Sequence, residues 1–259
     1  MKQNLTSIEK AIRVLLAFDQ RHPSWGVRRL SEHLGFSAAT VQRILSTFKD
    51  YHLVDQDTAT RQYRLGAAFY HFIQTLQQSY PITRVAPEFM RRLALKTGET
   101  VHLNVIEDQS RVCIDAVESN QALKASMPVG SRSPLYAGAS SKCLLAFSEP
   151  AFRKTYLENT RLVPITANTI VDKNKLRSEL KMIRNRGYSQ SLAERNPGLG
   201  SLSTPVFNHQ GALLAALSLA IPEIRFRDRD HRKFCLAEVI ATARRISQYM
   251  GFRTGEESS

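Results

Sequence analysis

The stretch VRRLSEHLGFSAATVQRILSTF, residues 27–48, decides how the N-terminal part of the chain folds. Apolar residues recur at helical spacing on both sides of Gly35, which suits a left-handed turn, and Ser37 follows as a natural N-cap. The pattern therefore predicts two short helices joined by a tight turn. One side of the second helix carries the apolar residues Val41, Ile44, Leu45 and Phe48.

The opposite side of that second helix is suited to close contact. On a helical wheel this face carries Ala39, Arg43 and Ser46, with Gln42 on its flank. A helix that enters the major groove of DNA needs small residues where it approaches the bases, and Arg or Gln can contact base edges or phosphates there. The pattern favours DNA binding over the alternative that it also allows, a protein-interaction module built from short helices and a hairpin.

Segments on either side complete the predicted domain. Thr6-Ser7-Ile8-Glu9 has the form of a capping box and begins a helix. The apolar residues of that helix are Ile8, Ala11, Ile12, Leu15 and Leu16. Residues 53–65 predict a strand, a polar turn and a return strand, which is the wing of a winged helix-turn-helix. Arg61 and Arg64 lie on or near this hairpin, where they can contact phosphate.

A helix with almost no charge follows the hairpin. Residues 66–79 carry Phe69, Phe72, Ile73 and Leu76 at helical spacing, and Pro81 ends the helix. A partner subunit is the favoured place to bury this apolar side, because pairing gives a small DNA-binding domain affinity and spacing specificity. We therefore predict a winged helix-turn-helix domain over residues 1–66, a linker helix over 67–80, a second domain over 81–252 and a flexible tail over 253–259.

Composition and charge restrict the class of the protein. The 259 residues are 42% hydrophobic and 23% charged, as in ordinary globular proteins, and the length suits two domains of unequal size. The net charge of +13 favours a polyanionic partner, because each neutralised phosphate releases counterions. The positive excess is spread over both predicted domains, so charge alone does not locate a binding surface.

Cysteine use and hydropathy predict where the protein works. The three cysteines, Cys113, Cys143 and Cys235, are spaced neither as a disulfide framework nor as a metal site. No run of 18 apolar residues occurs, and the N-terminus lacks the apolar core of a signal peptide. We therefore expect a cytoplasmic protein that has no membrane partner, no metal and no cofactor.

Beyond residue 81 the pattern changes to mixed α and β, so the chain as a whole is predicted to be α+β. The predicted helices cover residues 84–96, residues 140–147 with a continuation to 157, residues 173–186 and residues 228–250. The predicted strands cover residues 101–105, 111–116, 199–207 and 212–221. Gly98 and Gly187 are placed to end two of the helices.

Four ordered motifs make the chain resemble the IclR-type bacterial transcriptional regulators over nearly its full length. The first motif is Ser37–Leu45 in the helix after the turn, and the second is Tyr63–Gly66 after the wing. The third runs from Gly130 through Pro134-Leu135-Tyr136-Ala137 to Lys142. The fourth is a C-terminal set made of Gly187-Tyr188, Glu194, Gly198-Leu199, Pro205-Val206-Phe207, Gly211 and the strand to Pro222. Together they are a stronger signal than the helix-turn-helix alone.

The resemblance implies an N-terminal winged helix-turn-helix domain, a linker helix and a C-terminal α/β effector-binding domain similar to GAF or PAS sensors. It implies a homodimer or homotetramer that binds double-stranded operator DNA, with repression favoured over activation and no enzymatic activity. The implied effector is a small carboxylate or aromatic metabolite. The expected DNA contacts are Arg28, Ser37, Ala38, Ala39, Thr40, Gln42, Arg43, Arg61 and Arg64. The expected effector contacts are Ala139, Ser140, Ser191, Ser201, Ser218 and Ala220.

The chain departs from a known small-acid binder of that family at three pocket positions. Ser191 stands where that binder has an acidic residue, Ser201 where it has a cysteine, and Ala220 where it has a second serine. The effector chemistry of that binder therefore does not carry over. We expect the N–H groups at the start of the helix at Ser140 to form an anion site, and serine hydroxyls to orient a small polar ligand.

Three further groups of residues allow two interpretations each. Ser140-Ser141-Lys142 suggests a serine nucleophile, but Ala139 breaks the S-x-x-K spacing, so helix capping is favoured. His102, Asn104 and Asp115 could converge on paired strands as a metal site, or as a hydrogen-bonded strand pair, which is favoured. A basic run could contact phosphate, although a solvated face or a subunit contact is favoured. This run comprises Arg225, Arg227, Arg229 and Arg232.

Overall fold

The first helix of the chain begins at the capping box that the sequence predicts. The computed structural model describes residues 5–19, 21–79 and 81–253, with the backbone alone for residues 76–79. The Thr6 hydroxyl accepts a hydrogen bond from the Glu9 N–H at 3.2 Å, and the Glu9 carboxylate accepts one from the Thr6 N–H at 2.7 Å. This reciprocal capping box satisfies N–H groups that a helix end otherwise leaves unpaired.

The chain forms two compact units, Met1–Tyr80 and Pro81–Ser259. The first unit contains the helices α1 (Ser7–Leu16), α2 (Val27–Leu34), α3 (Ala38–Asp50) and α4 (Ala68–Ser79), and the strands β1 (Ser24–Trp25), β2 (Val54–Gln56) and β3 (Tyr63–Leu65). Its core consists of Val14, Phe18, Trp25, Leu30, Val41, Leu45, Val54 and Tyr63. The predicted helix-turn-helix and hairpin are confirmed.

Helix α1 buries a different face from the one that its apolar spacing suggests. Ile8 and Leu16 of the predicted apolar stripe are 72% and 74% exposed, whereas Val14 is fully buried. Val14 in α1 and Phe18, just beyond the C-cap Ala17, both pack into the core of the first unit. Most of the apolar stripe therefore lies on the surface of this unit.

The hairpin belongs to a three-stranded antiparallel sheet in the order β1-β3-β2. The short strand β1 pairs Trp25 with Tyr63, and the Trp25 Nε1–H donates to the Ala17 carbonyl at 2.8 Å. This strand is absent from the sequence prediction, because two residues between Pro23 and Gly26 are too few to show a periodic pattern.

The second unit is built on a six-stranded sheet in the order β6-β5-β4-β9-β8-β7, with every neighbouring pair antiparallel. Its strands are β4 (Thr100–Glu107), β5 (Ser110–Val117), β6 (Arg132–Pro134), β7 (Ser189–Leu192), β8 (Leu199–Phe207) and β9 (Leu213–Pro222). Its helices are α5 (Ile82–Thr97), α6 (Ala139–Phe147), α7 (Pro150–Asn159), α8 (Lys173–Arg186), α9 (Glu223–Phe226) and α10 (Arg229–Tyr249).

The two faces of this sheet differ in chemistry. In β9, Leu217 and Leu219 alternate with the small residues Ser218 and Ala220. Because directly paired residues share a face, Ser218 lies beside its partner His102 in β4. The apolar face packs against α5 and α10, while α6 covers the face of small and polar side chains. The second face is therefore the one suited to a polar ligand.

The long elements of the second unit are confirmed close to their predicted ends. Helix α8 ends at Gly187, whose φ of +81° is a left-handed conformation that glycine adopts readily. The predicted continuation after residue 147 is the separate helix α7, because Ser148 ends α6 and Pro150 begins a new helix. Strands β6 and β7 and helix α9 are absent from the sequence prediction, since each has only three or four residues.

The predicted α+β class is confirmed, with a winged helix-turn-helix unit followed by an α/β unit. Of the tail expected over residues 253–259, all but Arg253 lie outside the described residues. None of the described helices is both long and apolar enough to cross a membrane.

Candidate nucleic-acid interface and ligand cavity

The turn between α2 and α3 fixes the direction of α3. Gly35 has φ +67° at the end of α2, a conformation that costs most other residues free energy. The Ser37 hydroxyl then accepts a hydrogen bond from the Thr40 N–H at 3.2 Å and lies 2.8 Å from the Thr40 hydroxyl. The predicted N-cap is therefore confirmed, and it engages both polar groups of Thr40.

One side of α3 is buried and the other is exposed. Val41 and Leu45 are fully buried in the core of the first unit. Thr40 is half-buried. The other expected DNA contacts on this helix and its cap are exposed, namely Ser37, Ala38, Ala39, Gln42 and Arg43. Because the first residues of α3, Ala38 and Ala39, have small side chains and Arg43 follows one turn later, α3 can approach a groove of DNA closely.

Gln42 is oriented by the sheet of the first unit. Its Nε2 donates to the Tyr63 hydroxyl at 3.2 Å, and Tyr63 is a buried residue of β3. This bond joins the exposed side of α3 to the hairpin, so Gln42 is restrained before any contact with DNA. The sequence pattern does not show the bond, because its two residues lie 21 positions apart.

The hairpin presents two exposed arginines, Arg61 and Arg64. Its turn is shaped by Asp57, which accepts hydrogen bonds from the Thr60 N–H at 2.7 Å and the Ala59 N–H at 3.0 Å. These bonds, chiefly the one from the Thr60 backbone, lower the pKa of the Asp57 carboxyl. A fixed turn places both guanidinium groups at the surface, where a phosphate can reach them.

Arg28, the expected contact at the start of α2, is exposed but paired. Its Nε lies 3.2 Å from the carboxylate of Glu32, one turn later. Exposed pairs at this helical spacing contribute only about 0.3–0.5 kcal/mol. A phosphate group can therefore replace Glu32 at little cost.

A cavity of about 60 Å³ lies in the second unit, between the polar face of the sheet and the start of α6. All six expected effector contacts line it, namely Ala139, Ser140, Ser191, Ser201, Ser218 and Ala220. The lining residues that are absent from that expectation include His102, Asn104, Met127, Glu194 and Arg195.

The anion site expected at the start of α6 is partly filled by the chain itself. Gly138 is the N-cap, and its N–H donates to the Glu194 carboxylate at 3.0 Å, while the Ala139 N–H donates to Ser191 Oγ at 2.9 Å. The capping role expected for Ser140 is wrong, because Ser140 lies inside the first turn and makes no cap. The two N–H groups are instead satisfied by side chains from β7 and the segment that follows it.

Lys142 is buried beside this helix start, with 1% of its side chain exposed. Its Nζ lies 2.6 Å from the Glu194 carboxylate, 3.4 Å from the Glu179 carboxylate and 3.4 Å from the Gln190 carbonyl. Glu194 therefore joins Lys142 to the N-terminus of α6, with one carboxylate oxygen for each. Since two carboxylates hold the ammonium group, Lys142 is not arranged as a base for a neighbouring serine.

Two arginines converge beside the cavity. Arg111 Nε and Arg195 Nη1 each donate to Ser133 Oγ at 2.9 Å. Arg111 is 1% exposed and also donates to the Asn104 side-chain carbonyl at 3.3 Å, while Arg195 Nη2 lies 3.2 Å from Met127 Sδ. Burial, followed by the positive charge of Arg195, lowers the pKa of Arg111 to about 10. Arg111 is therefore still protonated at neutral pH.

His102 lines the same cavity and is 3% exposed. Its Nε2 has no hydrogen-bond partner among the residues that the structure describes. Burial, followed by the positive charges of Arg111 and Arg195, lowers the pKa of His102 to about 4. The imidazole is therefore neutral at pH 7, and its Nε2 is a buried polar atom of the kind that native proteins rarely leave unpaired.

Comparisons with known proteins identify the family. Residues 7–58 match the model of the IclR helix-turn-helix domain, and residues 74–248 match that of the C-terminal domain of the bacterial transcriptional regulator IclR. The chain belongs to the IclR family of bacterial transcriptional regulators. The HTH-type transcriptional regulator KdgR of Escherichia coli K12 is 30% identical over 249 residues, which cover 96% of this chain and 94% of KdgR.

Solved structures of IclR proteins share the whole fold. The crystal structure of Thermotoga maritima IclR is 26% identical, with a TM-score of 0.82 over 95% of this chain and 99% of that one. An IclR homologue from Microbacterium hydrocarbonoxydans, solved with 4-hydroxybenzoate, is 19% identical, with a TM-score of 0.79 over 95% and 99% of the two chains. The IclR family consists of transcriptional regulators and not of enzymes, so this chain is a regulator with a helix-turn-helix DNA-binding domain and an effector domain.

His102, Asn104 and Asp115 lie on the paired strands β4 and β5, as expected, but their side chains do not converge in one cluster. Asp115 pairs in register with Leu103, so its side chain lies on the apolar face of the sheet, whereas His102 and Asn104 line the cavity on the other face. Asn104 Nδ2 bonds instead to Ser218 Oγ at 3.3 Å. Within residues 5–19, 21–79 and 81–253, no three His, Cys, Asp or Glu side chains are grouped so that they could hold a metal ion.

The basic run after β9 is not a solvated face throughout. Arg225 donates to both oxygens of the buried Glu99 carboxylate, at 2.6 and 2.8 Å, and His231 Nε2 lies 2.8 Å from the same carboxylate. Arg232 donates to the Phe226 carbonyl at 3.0 Å. The expected solvated face is therefore wrong for Arg225, because a buried carboxylate more than a hundred positions earlier in the chain faces it.

Arg111 and Arg195, which the sequence motifs do not predict as site residues, carry only weak local signals. Arg111 is a charged residue at the start of the apolar run Val112-Cys113-Ile114, and a buried arginine is rare unless it has a partner. Arg195 stands next to Glu194 of the fourth IclR motif. Neither position indicates the other, because they lie 84 positions apart and meet only when the sheet forms.

Proposed function

We propose that this IclR-family chain binds double-stranded operator DNA through α3 and the β2–β3 hairpin, and that a small-molecule effector in the second unit alters that binding. The observation that carries the proposal is the exposed side of α3, which a capped turn and a buried apolar side hold in place. Ala38 and Ala39 leave room at its start, and Arg43 follows one turn later. This arrangement suits a helix that enters the major groove.

The proposed contacts divide into two groups. Gln42 and Arg43 contact base edges beside Ala39, because Arg and Gln can each form paired hydrogen bonds to a base. The remaining residues position the protein on the phosphate backbone, which carries most of the affinity but no sequence information. These positioning residues are Ser37, Ala38 and Thr40 at the start of α3, and Arg28, Arg61 and Arg64 around it.

The proposed effector is a small carboxylate or aromatic metabolite that binds in the cavity under α6. The six expected contacts support this, because all of them line one cavity that also contains buried polar side chains. The homologue solved with 4-hydroxybenzoate shares the fold of both units. A ligand shifts the equilibrium between the DNA-bound and DNA-free forms only if it binds one form more tightly than the other. The cavity must therefore differ between these two forms.

The regulator is further proposed to act as a homodimer or homotetramer. Apolar side chains on α1 and α4 are exposed in the isolated chain and offer surface for a second copy. They include Ile8, Ile12 and Leu16 on α1, and Tyr70, Phe72 and Ile73 on α4. In this proposal residues 1–66 bind DNA, residues 67–80 link the domains and residues 81–252 bind the effector. The proposed outcome is repression, in the cytoplasm, where bacterial DNA lies.

The variant Arg43→Ala tests the DNA-binding surface. If Arg43 contacts a guanine, affinity for duplex DNA from upstream of the protein's own gene falls by about 1–3 kcal/mol. Arg177→Ala is the matched control, because Arg177 is an exposed arginine of α8 and its loss changes the net charge equally. Electrophoretic mobility shift at one fixed salt concentration measures both variants against the wild type.

Equal affinity of wild type and Arg43→Ala would contradict the role given to Arg43. A salt titration tests the wider proposal, since counterion release predicts that affinity falls steeply as salt rises. A protein-interaction module would show no duplex binding even at low salt, and that result would contradict DNA binding altogether.

A further inference from the structure

Arg111 and Arg195 share one neutral acceptor. Ser133 Oγ accepts a hydrogen bond from each of them at 2.9 Å and lies 3.3 Å from Ser141 Oγ. A hydroxyl has two lone pairs and one hydrogen, so Ser133 uses both lone pairs on the arginines and donates its hydrogen to Ser141. Two like charges are thereby held within about 6 Å of each other, around a group that carries no charge.

Arg111 and Arg195 have only neutral partners among the residues that the structure describes. Among the described residues, no Asp or Glu oxygen lies within 4.0 Å of Arg111 or Arg195, whereas Arg225 of the same unit pairs with Glu99 at 2.6 Å. Their other side-chain partners are the neutral Asn104 and Met127. Buried charges without a partner are costly, and adjacent like charges repel each other. The site therefore lacks a counter-anion.

His102 gives an independent indication of a missing ligand. It lines the cavity that Arg195 also lines, and its buried Nε2 has no partner within the described part of the chain. The polar side chains around it do have partners, since Asn104 bonds to Ser218 Oγ at 3.3 Å and Ser218 Oγ lies 2.8 Å from Ser203 Oγ. A ligand atom in the cavity could form the hydrogen bond that Nε2 lacks.

The start of α6 is a poor place for the charged end of such a ligand. Glu194 places a carboxylate at the Gly138 N–H, and Ser191 occupies the Ala139 N–H. An anion at this helix start would face the Glu194 carboxylate. An anion at Arg195 would instead lie beside two guanidinium groups that hydrogen-bond only to neutral side chains, which is the more favourable arrangement of charge.

We propose that the cavity binds a small carboxylate in one orientation, with its carboxylate group on Arg195 and a hydroxyl or carbonyl oxygen of the same molecule on His102. Arg111 adds positive charge behind Ser133. A planar guanidinium can hold a carboxylate through two parallel hydrogen bonds, so Arg195 sets the orientation of the ligand. The cavity of about 60 Å³ suits a small ligand. The inference rests on the proposal that this unit binds the effector.

Thermal unfolding of the full chain tests the site with simple probes. Sodium formate, sodium acetate and sodium pyruvate are compared with acetamide and inorganic phosphate at equal ionic strength. The carboxylates are expected to raise Tm progressively with concentration, as a ligand that binds only the folded state does. Acetamide has the shape of acetate without its charge and is expected to leave Tm unchanged. A rise with phosphate and none with the carboxylates would show a phosphate site and overturn the carboxylate assignment.

The variant Arg195→Met removes the proposed contact and keeps a side chain of similar reach. We expect it to lose the rise in Tm with carboxylate, and to be at least as stable as the wild type without carboxylate, because Arg111 loses a neighbouring like charge. Arg227→Met is the control, since Arg227 is exposed and its loss changes the net charge equally. A full carboxylate response in Arg195→Met contradicts the proposal, and so does lower stability of this variant without carboxylate.

A measurement of duplex DNA binding by the wild type distinguishes failure of the proposed carboxylate site from failure of the proposed DNA-binding function. A wild type that responds to carboxylate and does not bind duplex DNA would support the site and contradict the proposed function. A wild type that binds DNA and shows no carboxylate response would contradict the site alone.

Discussion

Replacement of Glu194 by Gln should destabilise the second unit, because it removes the nearest negative partner of a buried ammonium group. One oxygen of Glu194 accepts from Lys142 Nζ at 2.6 Å, and the other accepts from the Gly138 N–H at 3.0 Å. Glutamine has the same shape, but one of its two terminal groups is an NH₂ donor. It can therefore accept from Lys142 or from Gly138, but it cannot serve both in this geometry.

The contacts of Lys142 set the size of the effect. Removing one partner of a buried ion pair costs about 3–5 kcal/mol. Lys142 is 1% exposed, so water cannot replace the lost carboxylate, but Glu179 and the Gln190 carbonyl both remain at 3.4 Å. These remaining partners place the expected loss of unfolding free energy at the lower end of that range, at about 3 kcal/mol.

Urea unfolding followed by far-ultraviolet circular dichroism measures this loss. The single tryptophan, Trp25, lies in the first unit, so its fluorescence follows that unit separately. The hydrogen-bond and ion-pair partners described for Glu194 all lie in the second unit. We therefore expect the Trp25 transition to keep its midpoint in Glu194→Gln, which provides an internal control.

A double variant decides whether the unpaired charge is the cause. Lys142→Met combined with Glu194→Gln removes both charges, so no unpaired ammonium remains, and it should recover at least half of the loss seen in Glu194→Gln. The reasoning is refuted if Glu194→Gln loses less than about 0.5 kcal/mol, the size of an ordinary surface substitution. It is also refuted if the double variant is as unstable as the single one.

Two further changes test other parts of the chain. In the folded chain the pKa of His102 is lowered to about 4, so as pH falls His102 takes up a proton in the unfolded chain before it does so in the folded chain. The free energy of unfolding is therefore unaffected by His102 above about pH 6.5, and it falls by about 3 kcal/mol as pH is lowered towards 4. His102→Gln should lack this part of the pH dependence in urea titrations, and an unchanged dependence contradicts the assignment. In Gly66→Ala the new Cβ would lie 2.2 Å from the His52 carbonyl oxygen, so Trp25 fluorescence should show a loss of about 1–3 kcal/mol. Gly26→Ala, where no atom lies within 4 Å, is the control and should lose clearly less.

Much of the site could be found from the sequence because its parts are short motifs. Ser37 and Gly35 fix the turn before α3 through capping and backbone conformation, which depend only on neighbouring residues. The family motifs likewise predict the small residues at the start of α6 and along β7, β8 and β9, and all six line the cavity. What the motifs did not reveal is that Glu194 and Ser191 occupy the helix start that was expected to bind an anion.

The sequence by itself determined where most of the helices and long strands lie and which residues alternate along them, because caps, glycine stops and periodicity act within a few residues. The alternation of Leu217 and Leu219 with Ser218 already separates an apolar face from a polar one. Only the tertiary structure decided what meets on the polar face. Arg111 and Arg195 come together on Ser133 because strand pairing and loop placement bring distant residues into contact. Whether such charges find a partner depends on long-range packing, which local pattern does not encode.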